Sequence, residues 1–275
     1  MQNVKIVVDS SANITELSGV SFACAPLKIV TSEKQYVDTK ELDVHEMVKD
    51  LYSYSGKSST SCPNTNDWMS AFGDAEEIIC FTITSALSGS YNSACTAKQL
   101  YEDMYPDRRL LVVDSLSAGP EIAMMAEKAA QMISDGMGLD EIEKGLSEYK
   151  TELVFVLESM KNLANNGRIS KLAAAAAGIL GVRAVGKASD QGTLEMLSKS
   201  RGTSKALADM IGHMKDMGYN GGKVRIAHCL NPQAANHLKG RLETLYPKAD
   251  IMIEECRGLC SFYAEKGGML VGFEV

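Results

Sequence analysis

Through the first half of this chain, short apolar runs of strand length alternate with stretches of helical spacing, and that rhythm limits the fold more than any other feature. Residues 4–8, 78–83 and 110–113 are apolar at nearly every position, the pattern of a strand buried on both faces rather than on one. Residues 20–30 contain a further extended stretch. Helical segments fall between and after these runs, at 44–52, 66–71, 89–104, 119–134 and 139–149. A parallel sheet needs a long crossover between neighbouring strands, and a helix is the usual one. The expectation is therefore an α/β, Rossmann-like parallel-sheet domain over residues 1–150.

From about residue 152 the rhythm changes. Residues 153–157 read as a strand, 160–177 as helical material, and 182–188 with 194–197 as a hairpin turning at Asp190-Gln191-Gly192. A helix over 201–217, a strand over 224–229, a helix over 232–242 and strands over 251–254 and 269–275 follow. A hairpin among single strands predicts a second α/β domain with a mixed or antiparallel sheet, residues 151–275. No low-complexity linker separates the halves, so they should pack closely.

Composition removes several function classes. With 28 basic and 35 acidic residues the net charge is −7, so bulk charge does not favour nucleic acid. The longest small-apolar run, residues 172–182, is much shorter than the ~20 residues of a membrane-spanning helix. Nothing near the start reads as a signal peptide, and the expected location is the cytoplasm. Seven cysteines form no CxxC pair, so neither zinc spacing nor a disulfide framework is expected. Cys80, Cys95 and Cys229 read as buried thiols. Cys62 sits in a hydroxyl-rich loop, but no histidine lies near it in sequence to activate it.

Two such loops are the candidates for binding: Thr60-Ser61-Cys62-Pro63-Asn64 and Ser85-Ala86-Leu87-Ser88-Gly89-Ser90. Ser88 falls at or beside a helix N-terminus, where free N–H groups and the helix dipole attract an anion. Serine, threonine and asparagine are also ordinary caps and turn formers, so either loop alone is equally turn material. Their placement favours a ligand: Asp9-Ser10, Thr60-Ser61, Ser85 to Ser88 and Asp114-Ser115 all follow expected strands or extended segments, where open α/β sheets collect ligands.

Catalytic patterns are missing. Ser88 lacks a GxSxG elbow and none of the four histidines pairs with it in sequence. Asp9 and Asp114 have no His/Glu/Asp cluster around them, so hydrogen bonding to loop amides is expected in place of a metal. Neither GxxxxGK[ST] nor GxGxxG occurs. Lys161, Arg168, Lys171, Arg183, Lys187, Lys199, Arg201 and Lys205 form a basic cluster in the second half, either a solvated face or a surface for an anionic ligand or acidic partner. The alternative to a binding protein is an enzyme acting on a small carboxylated or phosphorylated metabolite in the inter-domain cleft.

VKIVVDSSANI, TSCPN, SALSGSYNSA and VVDSLSAG in the first half, with NNGRIS, the DQG hairpin and KSRGTSKAL in the second, resemble the DegV family of bacterial lipid-binding proteins over nearly the whole chain. The resemblance implies one bound long-chain fatty acid, no cofactor and no catalytic residue. It implies a carboxylate held by Thr60 and Ser88, with Ser61 and the Gly89 amide as supporting donors and the tail in an apolar tunnel completed by the second domain. Arg168 and Arg201 match basic positions that face the head group or a fatty-acid kinase, to which some members present the acid. The sequence departs from the family pattern at Cys62, where a TSQPS-like loop has Gln, at Arg183-Ala184 in place of Lys-Pro, and at Ala264, where an HxGPG-like segment has His.

Overall fold

The computed structural model describes residues 4–170 and 181–275. The fold is α/β, with a parallel-sheet N-terminal part and a mixed-sheet C-terminal part. Strands β1 (Val4–Asp9), β2 (Ser21–Ala25), β6 (Glu77–Thr82) and β7 (Arg109–Asp114) form an all-parallel sheet in the order β2-β1-β6-β7. The doubly apolar runs explain this sheet: Ile6, Val7, Val8, Ile78, Ile79, Cys80 and Phe81 are wholly buried. Two cores flank it. Trp68, Phe72 and Tyr101 fill one, and Ile122, Ala126 and Ile142 lie in the other. Helices α2 (Thr65–Phe72) and α3 (Ser90–Met104) cover the first face, α4 (Pro120–Ser134) and α5 (Leu139–Glu148) the second.

The extended stretch expected over 20–30 divides between two sheets. Pro26-Leu27 interrupts it, and β3 (Lys28–Val30) pairs antiparallel with β4 (Gln35–Val37) and β5 (Ser59–Ser61) in a separate three-stranded sheet, with α1 (Val44–Ser53) between β4 and β5 in the chain. Thr60 and Ser61 therefore lie within a strand, not after one, which corrects the expected placement. The other three polar exits stand together, because the parallel register brings Asp9, Thr82 and Asp114 to one sheet edge.

The C-terminal sheet runs β10-β9-β8-β13-β11-β12, made by β8 (Thr151–Leu157), β9 (Val182–Ala188), β10 (Leu194–Arg201), β11 (Val224–His228), β12 (Ile251–Glu255) and β13 (Met269–Glu274). Only the β11–β12 pair is parallel. Helices α7 (Thr203–Asp216) and α8 (Pro232–Leu245) pack on one face around Met210, Leu238 and Phe273. Of the helical stretch expected over 160–177, α6 (Lys161–Asn165) is present. Its remainder, including Lys171 and the alanine run, lies outside the described residues. Helix α9 (Gly258–Ala264) had no sequence signal; it starts where buried Asp38 accepts from the Gly258 and Leu259 N–H groups, both at 2.8 Å.

The two halves meet along polar seams. Glu127 on α4 accepts from Arg225 Nε at 3.0 Å and from Lys223 Nζ at 2.9 Å. The hairpin tip abuts the exit of β6. Gly192, at φ 72°, sits so close that a Cβ would come within 2.0 Å of Thr84 Oγ1 and 3.2 Å of Leu116 Cα. Gly192→Ala is therefore expected to cost about 1–3 kcal/mol in denaturant unfolding, from left-handed strain and overpacking together. A fully wild-type midpoint would mean that the tip does not bear on Thr84.

Glu121 forms another seam contact, accepting from Ser117 Oγ and, at 2.8 Å, from Thr151 Oγ1. Burial raises its carboxyl from 4.5 to about 7 against those hydrogen bonds. A raised carboxyl holds its proton more tightly folded than unfolded. Its contribution is thus full below the ordinary glutamate range and is lost as pH rises through about 7. Glu254, raised to about 7 by burial, acts in the same direction. Glu121→Gln should gain roughly 1–3 kcal/mol on wild type between pH 4.5 and pH 8. Unfolding curves that stay parallel across that range would contradict it.

Candidate functional site

Asp9 and Asp114 organise the sheet edge on which the site is built. Asp9 is fully buried and accepts from Ser11 N at 3.1 Å, Ser11 Oγ, Ile83 N at 3.0 Å and Ser90 Oγ at 2.6 Å. Burial pushes its carboxyl above the usual range while these donors pull it down. Asp114 accepts from Ser85 N at 3.0 Å and Leu116 N at 3.2 Å. Both carboxylates are occupied with loop amides and hydroxyls, as the sequence suggested, and neither lines the cavity described below.

The two hydroxyl loops are neighbours. Ser93 Oγ, in the first turn of α3, donates to Pro63 O at 2.8 Å, and a Cβ on Gly89 would lie 3.5 Å from Cys62 Sγ. Ser88 precedes the N-cap residue Gly89, which supplies no side-chain cap, and Ser88 Oγ accepts from Ser90 N at 3.3 Å. The Asn165-Asn166-Gly167-Arg168 segment braces both loops. Asn166 Nδ2 donates to Ser58 O at 3.3 Å, and Arg168 Nε donates to Leu87 O at 3.0 Å.

Between the two sheets lies a cavity lined by residues of both halves. Ser11, Thr60, Ser88, Arg168 and Tyr263 give it polar groups. Most of the remaining lining is apolar, with Leu27, Ile83, Leu153, Phe155, Leu163 and Leu270 among it. Thr60 Oγ1 and Tyr263 OH are hydrogen-bonded at 2.7 Å, and burial pushes the Tyr263 phenol up. Strand pairing holds Thr60 opposite Ile29 on β3. Asp38 fixes α9, which carries Tyr263.

The expected site residues divide. Thr60, Ser88 and Arg168 line one cavity although 108 positions separate the first from the last. Ser61 and Gly89 are exposed and outside its lining, and so is Arg201. Ala264 is buried in the wall, where it adds no polar group. Tyr263 was missed, since a tyrosine in Ser261-Phe262-Tyr263 reads as core; no local sequence signal separates it from Phe262. Cys62 is half-buried, and burial raises its thiol above the ordinary range, which makes it a poor nucleophile. All seven cysteines are free thiols; Cys80 and Cys229 are buried as expected, Cys95 only half-buried. Among the described residues, no group of three or more His, Cys, Asp or Glu side chains is arranged to hold a metal.

A family model described as "Uncharacterised protein, DegV family" matches residues 3–274. The chain belongs to the DegV family. A DegV domain-containing protein of Streptococcus pneumoniae is 39% identical over 277 residues, covering 98% of this chain and 99% of that one. Two solved DegV relatives superpose with TM-scores of 0.97 and cover 99% of both chains. One, 40% identical, is a DegV family protein from Eubacterium eligens loaded with heptadecanoic acid. The other, 39% identical, is the Streptococcus pneumoniae Fatty Acid Kinase (Fak) B3 protein loaded with linoleic acid. A Ruminococcus gnavus DegV family protein refined with vaccenic acid is 29% identical, with a TM-score of 0.91.

Proposed function

We propose that this DegV protein binds one long-chain fatty acid in the inter-sheet cavity. The carboxylate is held by Thr60 and Ser88, and the tail lies against the leucine-rich wall. One observation carries the proposal: Thr60 and Ser88, from two loops distant in sequence, line a single cavity whose wall is mostly apolar. Charge-assisted hydrogen bonds to a carboxylate are short and directional. Each buried methylene contributes ~0.8 kcal/mol, so the tail supplies strength and the hydroxyls supply orientation. Tyr263 extends the hydroxyl set through its bond to Thr60, and Arg168 adds a cation at the same cavity.

The protein acts as a carrier and not a catalyst, presenting the acid to a fatty-acid kinase. Arg168 and exposed Arg201 are the basic residues offered to head group or kinase. An enzyme for a small polar metabolite would need Asp9 and Asp114 inside a wide polar cleft. Both are committed to loops, which favours the carrier. The domain division falls at 150/151, between α5 and β8. Seven free thiols suit a reducing cytoplasm, and among the described residues no helix is long and apolar enough to cross a membrane.

Titration of lipid-stripped protein with hexadecanoic acid and with hexadecan-1-ol tests this function. The acid should bind at least ~10-fold more tightly, the size of one hydrogen bond to a charged group. Equal affinity would remove the carboxylate clamp, and absence of binding to either would remove the carrier.

A further inference from the structure

The cavity floor is one face of the C-terminal sheet, and the strand register gives that face an uneven relief. On β8, Leu153, Phe155 and Leu157 alternate toward the cavity, and all three line it. Gly186 on β9 pairs with Phe155, and Ala184 pairs with Leu157. On the other side of β8, Leu270 of β13 pairs with Phe155 and also lines the cavity. Large side chains on the central strand thus face small ones on one neighbour and a leucine on the other.

Gly186 shows where the Phe155 ring goes. A Cβ at Gly186 would fall 2.3 Å from Phe155 Cζ and 2.6 Å from Cε2. The ring therefore lies sideways across the β9 backbone, in space that only glycine leaves open. With any side chain at 186 it would have to stand up into the cavity. The φ of Gly186 is not in the left-handed region, so close approach, and not backbone conformation, is what requires glycine there.

Resting on the fatty-acid reading of this cavity, we propose that Phe155, laid flat over Gly186, is the gauge that sets the length of the acyl chain the protein accepts. Removing ring atoms extends the cavity across β9 toward Leu194, which already lines it. Filling Gly186 shortens the cavity by lifting the ring.

The test is competition. Lipid-stripped wild type, Phe155→Leu, Gly186→Ala and Val156→Ala are each offered an equimolar mixture of saturated and unsaturated C12–C20 acids, and retained acids are identified by mass spectrometry. Phe155→Leu should move the preferred chain longer by about one carbon, the volume that leucine frees relative to phenylalanine, and Gly186→Ala should move it shorter. Gly186→Ala also meets Glu195 O at 2.4 Å, so Phe155→Leu carries the test if that variant does not fold. Val156 is buried in the core on the opposite face of the same strand, and its truncation should leave the profile unchanged. Identical profiles for wild type and Phe155→Leu, or an equal shift in Val156→Ala, overturn the gauge while leaving the carrier standing. Wild type that retains no acid overturns both.

Discussion

Alanine at both Thr60 and Ser88 should weaken fatty-acid binding by roughly 10²–10⁴-fold, because each hydrogen bond to a charged group is worth about 1.5–3 kcal/mol. The double variant should keep its unfolding midpoint to within about 0.5–1 kcal/mol, because neither hydroxyl makes a buried contact on which the core depends. Thr60 loses only its bond to Tyr263, whose phenol stays at the same cavity. The apolar wall is untouched, so an uncharged chain of equal length should bind the variant as it binds wild type. Fluorescent-acid displacement with an acid and with its alcohol separates the two effects. Loss of both affinities together would point to collapse of the cavity. Loss of neither would place the carboxylate elsewhere.

Asp38→Ala has the largest expected effect on stability, about 3–5 kcal/mol. It strands two buried N–H donors at the start of α9, each costing about 1–3 kcal/mol when unsatisfied. Asp38 and α9 are 220 positions apart, so one carboxylate ties the three-stranded sheet to the wall of the cavity. Leu259, Cys260, Tyr263 and Ala264 all ride on that helix and line the cavity. The variant should therefore lose acid affinity as well as stability. Asp38→Asn, which keeps one acceptor, should fall between. Chemical denaturation read beside acid affinity checks both, and a stable Asp38→Ala variant that binds normally would show that the helix is held by its packing alone.

What the sequence revealed follows from which forces are local. Doubly apolar runs, helical spacing and the Asp-Gln-Gly turn depend on near neighbours, and the corresponding strands, helices and hairpin stand within a few residues of their expected bounds. The break at Pro26-Leu27 was hidden, because it depends on Leu27 N donating to Ser10 Oγ and on β3 finding two partners outside the main sheet. Helix α9 was hidden for the same reason: its cap comes from Asp38. At the candidate site, Thr60, Ser88 and Arg168 were legible as hydroxyl loops and a basic motif. Tyr263 acquires its polar role only through a partner 203 positions away. The family resemblance places Ser61 and the Gly89 amide beside Thr60 and Ser88 as supporting donors. Strand alternation turns Ser61 away from Thr60's side of β5, and Gly89 falls at the exposed start of α3.

Native mass spectrometry of the purified protein, followed by denaturing extraction, tests the carrier most directly. The prediction is one added mass per chain that disappears on denaturation and is recovered as a C14–C18 fatty acid, a range set by the ~0.8 kcal/mol that each buried methylene contributes. A chain that carries no such mass, and takes up no acid at micromolar concentration after being offered one, would contradict it.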